Sequence, residues 1–592
     1  KKERAEQTAT GIGKLMTALG KELHDNLMAI VSAMSDDINA KWEYANYGKE
    51  FGPLPPYCKV LPAGSAIQPK RAGYLFQRFT EYVYSQIPLL KVLTDPKIAA
   101  KVMGSDPFLL PFRGWMPKPE KVVERWETDE EVAAQLIRGV NPMKIEVVND
   151  KGKLPEGLQD LSDDEGRSVD DLIKDKSLFM CDYYELQHGD YDKEGGFYTH
   201  QARLDALNRN VGTLKYWYAP ILAVYKRKSG ELAILGFQLT RFTDKPNKIY
   251  TKGSTPGEEY LLAKLHLTCA DNQHHQFASH LGLTHLLVEP FAVGLHNSFP
   301  TDPNTGARHP IAALLAPHFH DTIGINFLAR QTLVSEVAPF TDATFSPGTV
   351  NALKIFSTAY QDWTFFGGNF KNDLKRRGFS EDCSDQLDGF YYRDDGFLIW
   401  NALEKYVASV VDAFYSGGDS DVEKDPKLQD WCDEMRGPAQ ISSFPASFKD
   451  RATLVEACTS IIFSCSAQHA AVNFSQLRYV SYVPNRADAL FKPMMHGADL
   501  DRKEVLKALP GVVNSEFQTL FSYLLTAEPD NPFSEYENPA IKKQFPDAWQ
   551  GFVSDLEEIA ARIEARNKDL LAKDQIPYEY LLPSRLPQSI NI

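Results

Sequence analysis

DNQHHQFASHLGLTHLLVEPFAVGL, residues 271–295, is a long stretch with almost no charge, which is typical of a helix inside a protein. It contains His280 and His285, five residues apart. In a regular α-helix that spacing leaves two side chains about 140° apart around the axis, so they share a face only where the helix widens. A π-turn widens a helix, and π-turns gather at functional sites. The spacing therefore either has no meaning or indicates a metal bound by a distorted helix.

TLVEACTSIIFSCSAQHAAVNFSQ, residues 453–476, is a second apolar helix candidate, with Glu456 as its only charge. His469 and Asn473 lie four residues apart in it, on one face of an ordinary helix. A helix that is apolar all round belongs in the interior of a large protein. Buried imidazole and carboxamide groups are costly without partners. Four such groups on two central helices favour one shared partner, and a cation fits.

Three segments resemble the metal-binding motifs of the lipoxygenase family, namely SHLGLTH at 279–285, HAAVNFSQ at 469–476 and LPSRLPQSINI at 582–592. The resemblance extends from about residue 126 to residue 592. It implies that one metal is bound by His280, His285, His469, Asn473 and the chain-end carboxylate of Ile592. Nitrogen and oxygen ligands without a thiolate point to iron or manganese. The family implies one non-haem iron, with manganese as the alternative.

The resemblance also implies roles for side chains around the metal. Gln276 and Gln476 would hydrogen-bond near the ligands and link the metal to the substrate cavity. Ala329, on a helix predicted over residues 322–334, corresponds to the alanine or glycine that helps to steer oxygen, and an alanine implies an S-configured product. The candidates for the wall of an apolar substrate tunnel are Leu286, Leu287, Leu328, Ala329 and Leu333.

The fold that the resemblance implies is mainly α. It is a lipoxygenase-like helical catalytic domain, residues 126–592, built around two long central helices. Residues 221–225 and 231–240 flank the segment KRKSG, which predicts a β-hairpin. Residues 177–186 predict a short buried strand, so a small sheet should pack on the helical body.

Smaller features predict where individual elements begin and end. Asp129 is a candidate cap for a helix that follows Trp126, and residues 552–573 predict a charged helix. Prolines exclude a helix from the last residues, so the tail should run extended and thread inward to the metal. His318 and His320 are expected at a helix start, where they make capping contacts, rather than as ligands.

Residues 1–125 predict an N-terminal helical region that packs on the body or serves as a lid. Residues 1–50 show the pattern of one long amphipathic helix or two shorter ones, and a second helical region is expected over residues 71–101. The polar face is mixed in sign, which counts against membrane docking. Because no period-2 strands precede the catalytic region, the chain resembles a bacterial-type form without the N-terminal β-sandwich (PLAT) domain.

Composition excludes several classes of function. The net charge of −15 argues against a nucleic-acid partner, which needs clustered Lys and Arg. No apolar stretch is long enough to span a bilayer, so at most peripheral membrane contact is expected. Seven cysteines without CxxC pairs favour a reducing compartment, and the sequence lacks GxSxG, P-loop and GxGxxG motifs. We expect a cytoplasmic monomer, with secretion left open because the first residue is Lys.

The resemblance implies a dioxygenase that uses O2 and polyunsaturated fatty acids of the linoleate, linolenate or arachidonate type. It would remove a hydrogen atom from the methylene between two cis double bonds and add O2 to the resulting radical, which gives a hydroperoxide. Two alternatives are a lipoxygenase-fold isomerase of hydroperoxides and an inactive lipid-binding relative. The five filled ligand positions argue against the inactive relative.

Overall fold

The computed structural model describes residues 40–62, 71, 74, 77–78, 81–82, 106–113, 116–200, 214–302, 308–334, 339–383, 387–497, 500–529 and 531–592. An amphipathic helical pattern was predicted for residues 1–50, and residues 1–39 of it lie outside the described residues. The second predicted region, residues 71–101, is described only at six scattered residues between 71 and 82, all of them helical. The predicted boundary between residues 125 and 126 stays a prediction.

The first continuous described segment contradicts the end of the predicted amphipathic helix. Strand β1 (Tyr44–Ala45) pairs antiparallel with β2 (Tyr57–Cys58), and a 3-10 turn at Lys49–Phe51 lies between them. Gly52 follows at φ +88°, a left-handed conformation that glycine adopts readily. The chain therefore turns back on itself where an extension of the helix to residue 50 was expected.

The fold is mainly helical, at 54% helix and 9% strand, as predicted. Apart from the helical residues between 71 and 82, the α-helices in the described part of the chain are Glu120–Arg125, Asp129–Arg138, Glu156–Gln159, Val169–Lys174, Gly257–His274, Leu287–Ser298, Pro310–Leu315, Thr322–Thr332, Pro339–Thr344, Gly348–Gln361, Phe370–Arg376, Tyr391–Phe414, Asp419–Lys424, Pro426–Arg436, Arg451–Phe463, His469–Asn473, Gln476–Tyr479, Arg502–Leu506, Val512–Leu525, Pro539–Gln544 and Pro546–Ala572. Within the described part of the chain, no helix is both long enough and apolar enough to cross a bilayer.

Besides the β1–β2 pair, the described residues contain two antiparallel sheets that pack on the helices. The strands after β2 are β3 (Glu146–Val147), β4 (Leu178–Asp182), β5 (Asp190–Tyr191), β6 (Phe197–His200), β7 (Leu214–Trp217), β8 (Ile221–Lys226), β9 (Leu232–Gln238) and β10 (Ile249–Tyr250). One sheet has the order β10-β9-β8-β4-β3 and the other β5-β6-β7. The predicted hairpin is the pair β8 and β9, and the predicted buried strand is β4, so both predictions are confirmed.

The first central helix, residues 257–298, changes its winding along its length. It is an α-helix over Gly257–His274, a π-helix over His275–Leu286 and an α-helix again over Leu287–Ser298. The N–H of Leu287 reaches back five residues to the carbonyl of Gly282. Gly282 is required there, because a Cβ would lie 2.3 Å from Cδ2 of Phe356. The widening expected from the histidine spacing is therefore present.

The second central helix, residues 451–473, also contains a widened turn. Asp450 caps its start by accepting a hydrogen bond from the N–H of Thr453 at 2.7 Å. The α-helix Arg451–Phe463 continues through a π-segment, Ser464–Gln468, into the α-helix His469–Asn473. This second π-segment was not predicted, because a ligand spacing of four fits an ordinary helix.

Two predictions of helix starts are wrong. Thr128, and not Asp129, caps the helix Asp129–Arg138 by accepting a hydrogen bond from the N–H of Glu131. The charged helix predicted from residue 552 begins at Pro546, because proline is favoured in the first turn, where its missing N–H leaves no bond unmade. The helix predicted over residues 322–334 ends at Thr332.

The C-terminal tail runs inward through the protein. It turns at residues 580–585 and then forms an isolated bridge between Pro587 and Pro532, so only its last part is extended as predicted. Ile590 and Ile592 are buried. The ring of His318 bonds the carbonyl of Gln588 at 2.7 Å. His318 was expected to cap a helix, and that prediction is wrong, because its ring faces the tail.

Candidate metal centre

Three predicted ligands meet at one point between the two central helices. One ring nitrogen from each of His280, His285 and His469 lies within 4.8 Å of the others, and all three residues are buried. The Nε2 atoms of His280 and His285 are 3.2 Å apart. No other group of three or more His, Cys, Asp or Glu residues meets the same criterion in the part of the chain that the structure describes.

The three imidazoles are held in the neutral form that binds metals. Burial lowers the pKa of His280 and of His469 well below the usual value, and it lowers the pKa of His285 to about 4. Neither ring nitrogen of His469 makes a hydrogen bond. Buried nitrogens without partners cost free energy. The three rings converge on one point, and the nitrogens of His469 lack hydrogen-bond partners. A cation bound among the rings fits this arrangement.

His266 shows that a missing hydrogen bond is not enough to identify such a site. Both of its ring nitrogens also lack a hydrogen bond, and burial lowers its pKa to about 3. Its ring packs edge-on against Tyr218, however, and belongs to no cluster of potential ligands among the described residues. The convergence of three imidazoles is what distinguishes the site from an ordinary buried histidine.

Asn326 orients one of the three rings. Its Oδ1 lies 3.1 Å from Nδ1 of His285, and its Nδ2 donates to the carbonyl of His285 at 2.7 Å. If Nδ1 carries the proton, Nε2 of His285 presents a lone pair to the cluster. Asn326 was not predicted from the sequence. A usable signal was its place three residues before Ala329, on the same face of the helix Thr322–Thr332.

The predicted amide residues form a chain of hydrogen bonds. Nε2 of Gln276 donates to Oε1 of Gln476 at 2.8 Å, and Nε2 of Gln476 donates to Oδ1 of Asn473 at 3.1 Å. Nδ2 of Asn473 donates to the carbonyl of Leu525 at 2.6 Å. Asn473 thus lies one turn after His469 with its amide fixed on both sides. Its role as a metal ligand stays a prediction.

Ile592 ends beside His469. The main chain of Ile592 opposes part of the lowering of the His469 pKa, although it makes no hydrogen bond of good geometry with either ring nitrogen. The residue is 5% exposed. The inward path expected of the tail is therefore present, and the role of the carboxylate as a ligand stays a prediction.

Comparisons with known proteins show the family to which the chain belongs. The model of the lipoxygenase family matches residues 113–583. The chain belongs to the lipoxygenase family. A rat epidermal-type polyunsaturated fatty acid (12S)/(13S)-lipoxygenase is 30% identical over 80% of this chain and 67% of its own. A Plexaura homomalla allene oxide synthase-lipoxygenase protein is 28% identical over 82% of this chain. The match covers 46% of that relative, so this chain spans about half of its length.

Solved lipoxygenase structures share the fold. One, crystallised anaerobically in complex with arachidonate, has a TM-score of 0.79 at 24% identity and covers 97% of this chain and 81% of its own. A coral 8R-lipoxygenase has a TM-score of 0.76 at 24% identity and covers 97% and 80%. The predicted family and fold are confirmed, and so is the predicted class of enzyme.

The predicted substrate residues of this lipoxygenase lie in more than one place. Leu286, Ala329 and Leu333 share an apolar cluster with Leu281 and Phe356. Leu328 belongs instead to a neighbouring cluster. The functional roles of all of them stay predictions.

A cavity of about 460 Å³ opens beside the first central helix. Leu283, Leu287 and Gln468 form part of its wall. Charged groups line it as well: Lys144 pairs with Glu185 at 2.6 Å. Sequence reasoning missed this polar group, because its members lie far apart in the chain and carry no motif.

Proposed function

We propose that this lipoxygenase is a non-haem iron dioxygenase that converts polyunsaturated fatty acids to hydroperoxides. The observation that carries the proposal is the convergence of three buried, neutral imidazoles on one point. The proposed ligands are His280, His285, His469, Asn473 and the carboxylate of Ile592. Iron is proposed over manganese because the family generally binds non-haem iron.

The donor set supports a redox-active metal. Imidazole, amide and carboxylate ligands without thiolate suit iron or manganese better than Mg²⁺ or Ca²⁺, and five donors exceed the closed four-coordinate set of a structural zinc. When bound, such a metal supplies the one-electron chemistry that hydrogen removal from a bis-allylic methylene requires. The protein contributes by holding the imidazoles neutral through burial and by orienting His285 through Asn326.

The apolar cluster around Ala329 is the proposed place of the substrate chain. Leu281, Leu286 and Phe356 are fully or nearly buried there, and they would exclude water from a radical intermediate. The methyl group of Ala329 would shield one end of that radical, which supports an S-configured product. Relatives named as fatty-acid lipoxygenases support the substrate class.

The remaining properties are proposed on weaker grounds. We propose that the protein has no nucleic-acid partner, because the net charge of −15 repels polyanions. A monomer is proposed as well. A cytoplasmic location and at most peripheral membrane contact are supported by the sequence features described above.

The test is incubation with linoleate and with arachidonate under oxygen, followed by absorbance of the conjugated diene and chiral separation of the products. The wild type should form hydroperoxides, and His469→Ala should form none and lose its metal. His266→Ala is the matched control, because it removes an equally buried imidazole outside the cluster. It should lose stability but keep metal and activity. Equal activity of wild type and His469→Ala would contradict the proposal.

A second candidate, which would use the same histidine cluster, is isomerisation of hydroperoxides. Adding a fatty-acid hydroperoxide under nitrogen separates the two, because an isomerase consumes it without O2. Rapid isomerisation together with no diene formation from fatty acid would replace the dioxygenase proposal. A purified protein that folds but contains neither iron nor manganese would favour the inactive lipid-binding relative.

A further inference from the structure

A buried arginine from outside the family match holds the tail next to its last residue. Arg71 is 1% exposed and precedes the matched residues 113–583. Its Nε donates to the carbonyl of Asn591 at 3.0 Å, and its Nη1 donates to the carbonyl of Glu528 at 2.8 Å. One guanidinium therefore links the penultimate peptide to the segment after the helix Val512–Leu525.

This contact is the last in a row of side chains that bond the main chain of the tail. His318 bonds the carbonyl of Gln588, and Oγ1 of Thr322 donates to the carbonyl of Ile590 at 3.1 Å. Bonds to carbonyls fix the path of the backbone whatever the side chains are. The bond from Arg71 holds the carbonyl of Asn591, one residue before the carboxylate of Ile592.

Arg71 also lies close to the histidine cluster. It binds the carbonyl one residue before Ile592, and the main chain of Ile592 ends beside His469. A buried guanidinium is costly unless hydrogen bonds and opposite charge surround it. The carboxylate of Ile592 supplies a negative charge one residue beyond the carbonyl that Arg71 binds.

We propose that Arg71 is a positioning residue that presents the carboxylate of Ile592 to the metal and thereby sets the affinity for the metal. This inference rests on the metal centre proposed above. It assigns to the N-terminal region, at the described residue Arg71, a part in completing the centre of a catalytic body that lies much further along the chain.

The competing explanation is that Arg71 only docks its segment on the body. Arg78, seven residues later, provides the comparison. Its Nη2 donates to the carbonyl of Tyr523 at 2.5 Å, and its guanidinium lies 3.8 Å from the centre of the Tyr523 ring. Arg78 therefore docks the same segment on the helix Val512–Leu525, and the bonds described for it do not reach the tail. Arg78→Gln removes the same charge and the same kind of contact.

The experiment titrates metal-free, full-length protein with Mn²⁺ and follows the free ion by electron paramagnetic resonance. Circular dichroism reports folding of each variant. Arg71→Gln should weaken Mn²⁺ binding by roughly 10- to 100-fold, the range typical of residues that orient ligands. Arg71→Lys should recover part of this loss. It keeps the positive charge but not the planar guanidinium that donates to two carbonyls at once. Arg78→Gln should bind Mn²⁺ as the wild type does.

A second background shows whether Arg71 acts through the chain end. In a chain extended beyond Ile592, where a peptide bond replaces the carboxylate, Arg71→Gln should cause no further loss of affinity. A persisting loss there, an equal loss in Arg78→Gln, or wild-type affinity in folded Arg71→Gln would each overturn the inference. If Arg71→Gln does not fold, Arg71→Lys provides the same comparison. A wild type that binds neither Mn²⁺ nor Fe²⁺ would instead refute the metal centre itself.

Discussion

The two central helices both widen into π-segments, but at different places relative to their proposed ligands. In the first helix the π-segment His275–Leu286 contains both His280 and His285. In the second helix the π-segment Ser464–Gln468 ends just before His469, which lies in an ordinary α-turn with Asn473. A spacing of five needs a wider turn to face one point, whereas a spacing of four does not.

The second π-segment therefore serves another purpose, and its last residue indicates which one. Nε2 of Gln468 donates to the carbonyl of Leu283 at 3.1 Å and to Oγ1 of Thr284 at 3.0 Å. Both acceptors belong to the first π-segment, between His280 and His285. Thr284 in turn donates to the carbonyl of Ser279 at 2.7 Å, five residues earlier. The π-segment of the second helix thus holds the π-segment of the first helix in place through the hydrogen bonds of Gln468.

The largest effects should follow from removing ligands of the first helix. His280→Ala and His285→Ala should each abolish metal binding and dioxygenase activity, because each removes a nitrogen from the converging set. Asn473→Ala should retain weak metal binding, since a neutral amide is a poorer ligand than imidazole. Elemental analysis and diene formation measure both effects. Full metal content in His285→Ala would show that the first π-segment is not needed to bring His285 to a metal.

The second-largest effect on the metal is expected from changing the C-terminal end of the chain. Adding residues after Ile592 should abolish activity and weaken metal retention, because a buried peptide bond would replace the carboxylate. Dialysis against a chelator compares the extended and native chains. The same extension at residue 1 is the control and should change nothing at the metal. Full activity of the C-terminally extended protein would refute the carboxylate ligand.

Gln476 tests the amide chain that serves the second helix. Gln476→Ala breaks the hydrogen bonds from Gln276 and to Asn473, and it should lower metal affinity or kcat by about 10- to 100-fold. Gln518→Ala is the control, because it removes an equally buried amide that bonds main-chain carbonyls elsewhere. Equal kinetic losses in the two variants would show that Gln476 is only a packing residue.

Gln468 tests the link between the two π-segments directly. Gln468→Ala loses two hydrogen bonds and should reduce stability by about 1–3 kcal/mol, measured by urea unfolding. It should also weaken metal binding by less than the loss of a ligand, because the first helix can then relax. Unchanged metal affinity at reduced stability would mean that the two widened turns are independent.

The smallest effect on the metal is expected at the regular part of the first helix. Asn272 there donates to the buried Asp488 at 2.8 Å, and burial raises the pKa of Asp488 to about 8. Native Asp488 therefore keeps a proton that the unfolded chain loses, so its contribution to stability falls as the pH rises from about 4 to about 8. Asp488→Asn should reduce this loss of stability with rising pH and leave the metal content unchanged. Parallel stability curves for wild type and variant between pH 4 and 8 would contradict it.

Sequence alone predicts the parts of the site that depend on local spacing. The five-residue step from His280 to His285 requires a widened helix, and the apolar character of both central stretches requires burial. The hairpin follows from alternating apolar residues around KRKSG. These predictions succeed because each rests on residues that are neighbours in one element.

The remaining parts depend on contacts between residues far apart in the chain. Asn326 reaches His285 from another helix, and Gln468 acts on the first helix from the second. Arg71 meets Asn591 across 520 residues. Local pattern carries no information about such pairs. The misplaced cap at Asp129 is a smaller failure of the same kind, because two adjacent residues both suit a helix start.

The central claim is that the three imidazoles of His280, His285 and His469 bind one redox-active metal. The most direct measurement is anomalous X-ray diffraction from crystals of the active protein, recorded above and below the iron and manganese absorption edges. We expect a single peak at one of these edges, within bonding distance of a nitrogen from each ring. Active crystals without a peak among the three rings would contradict it.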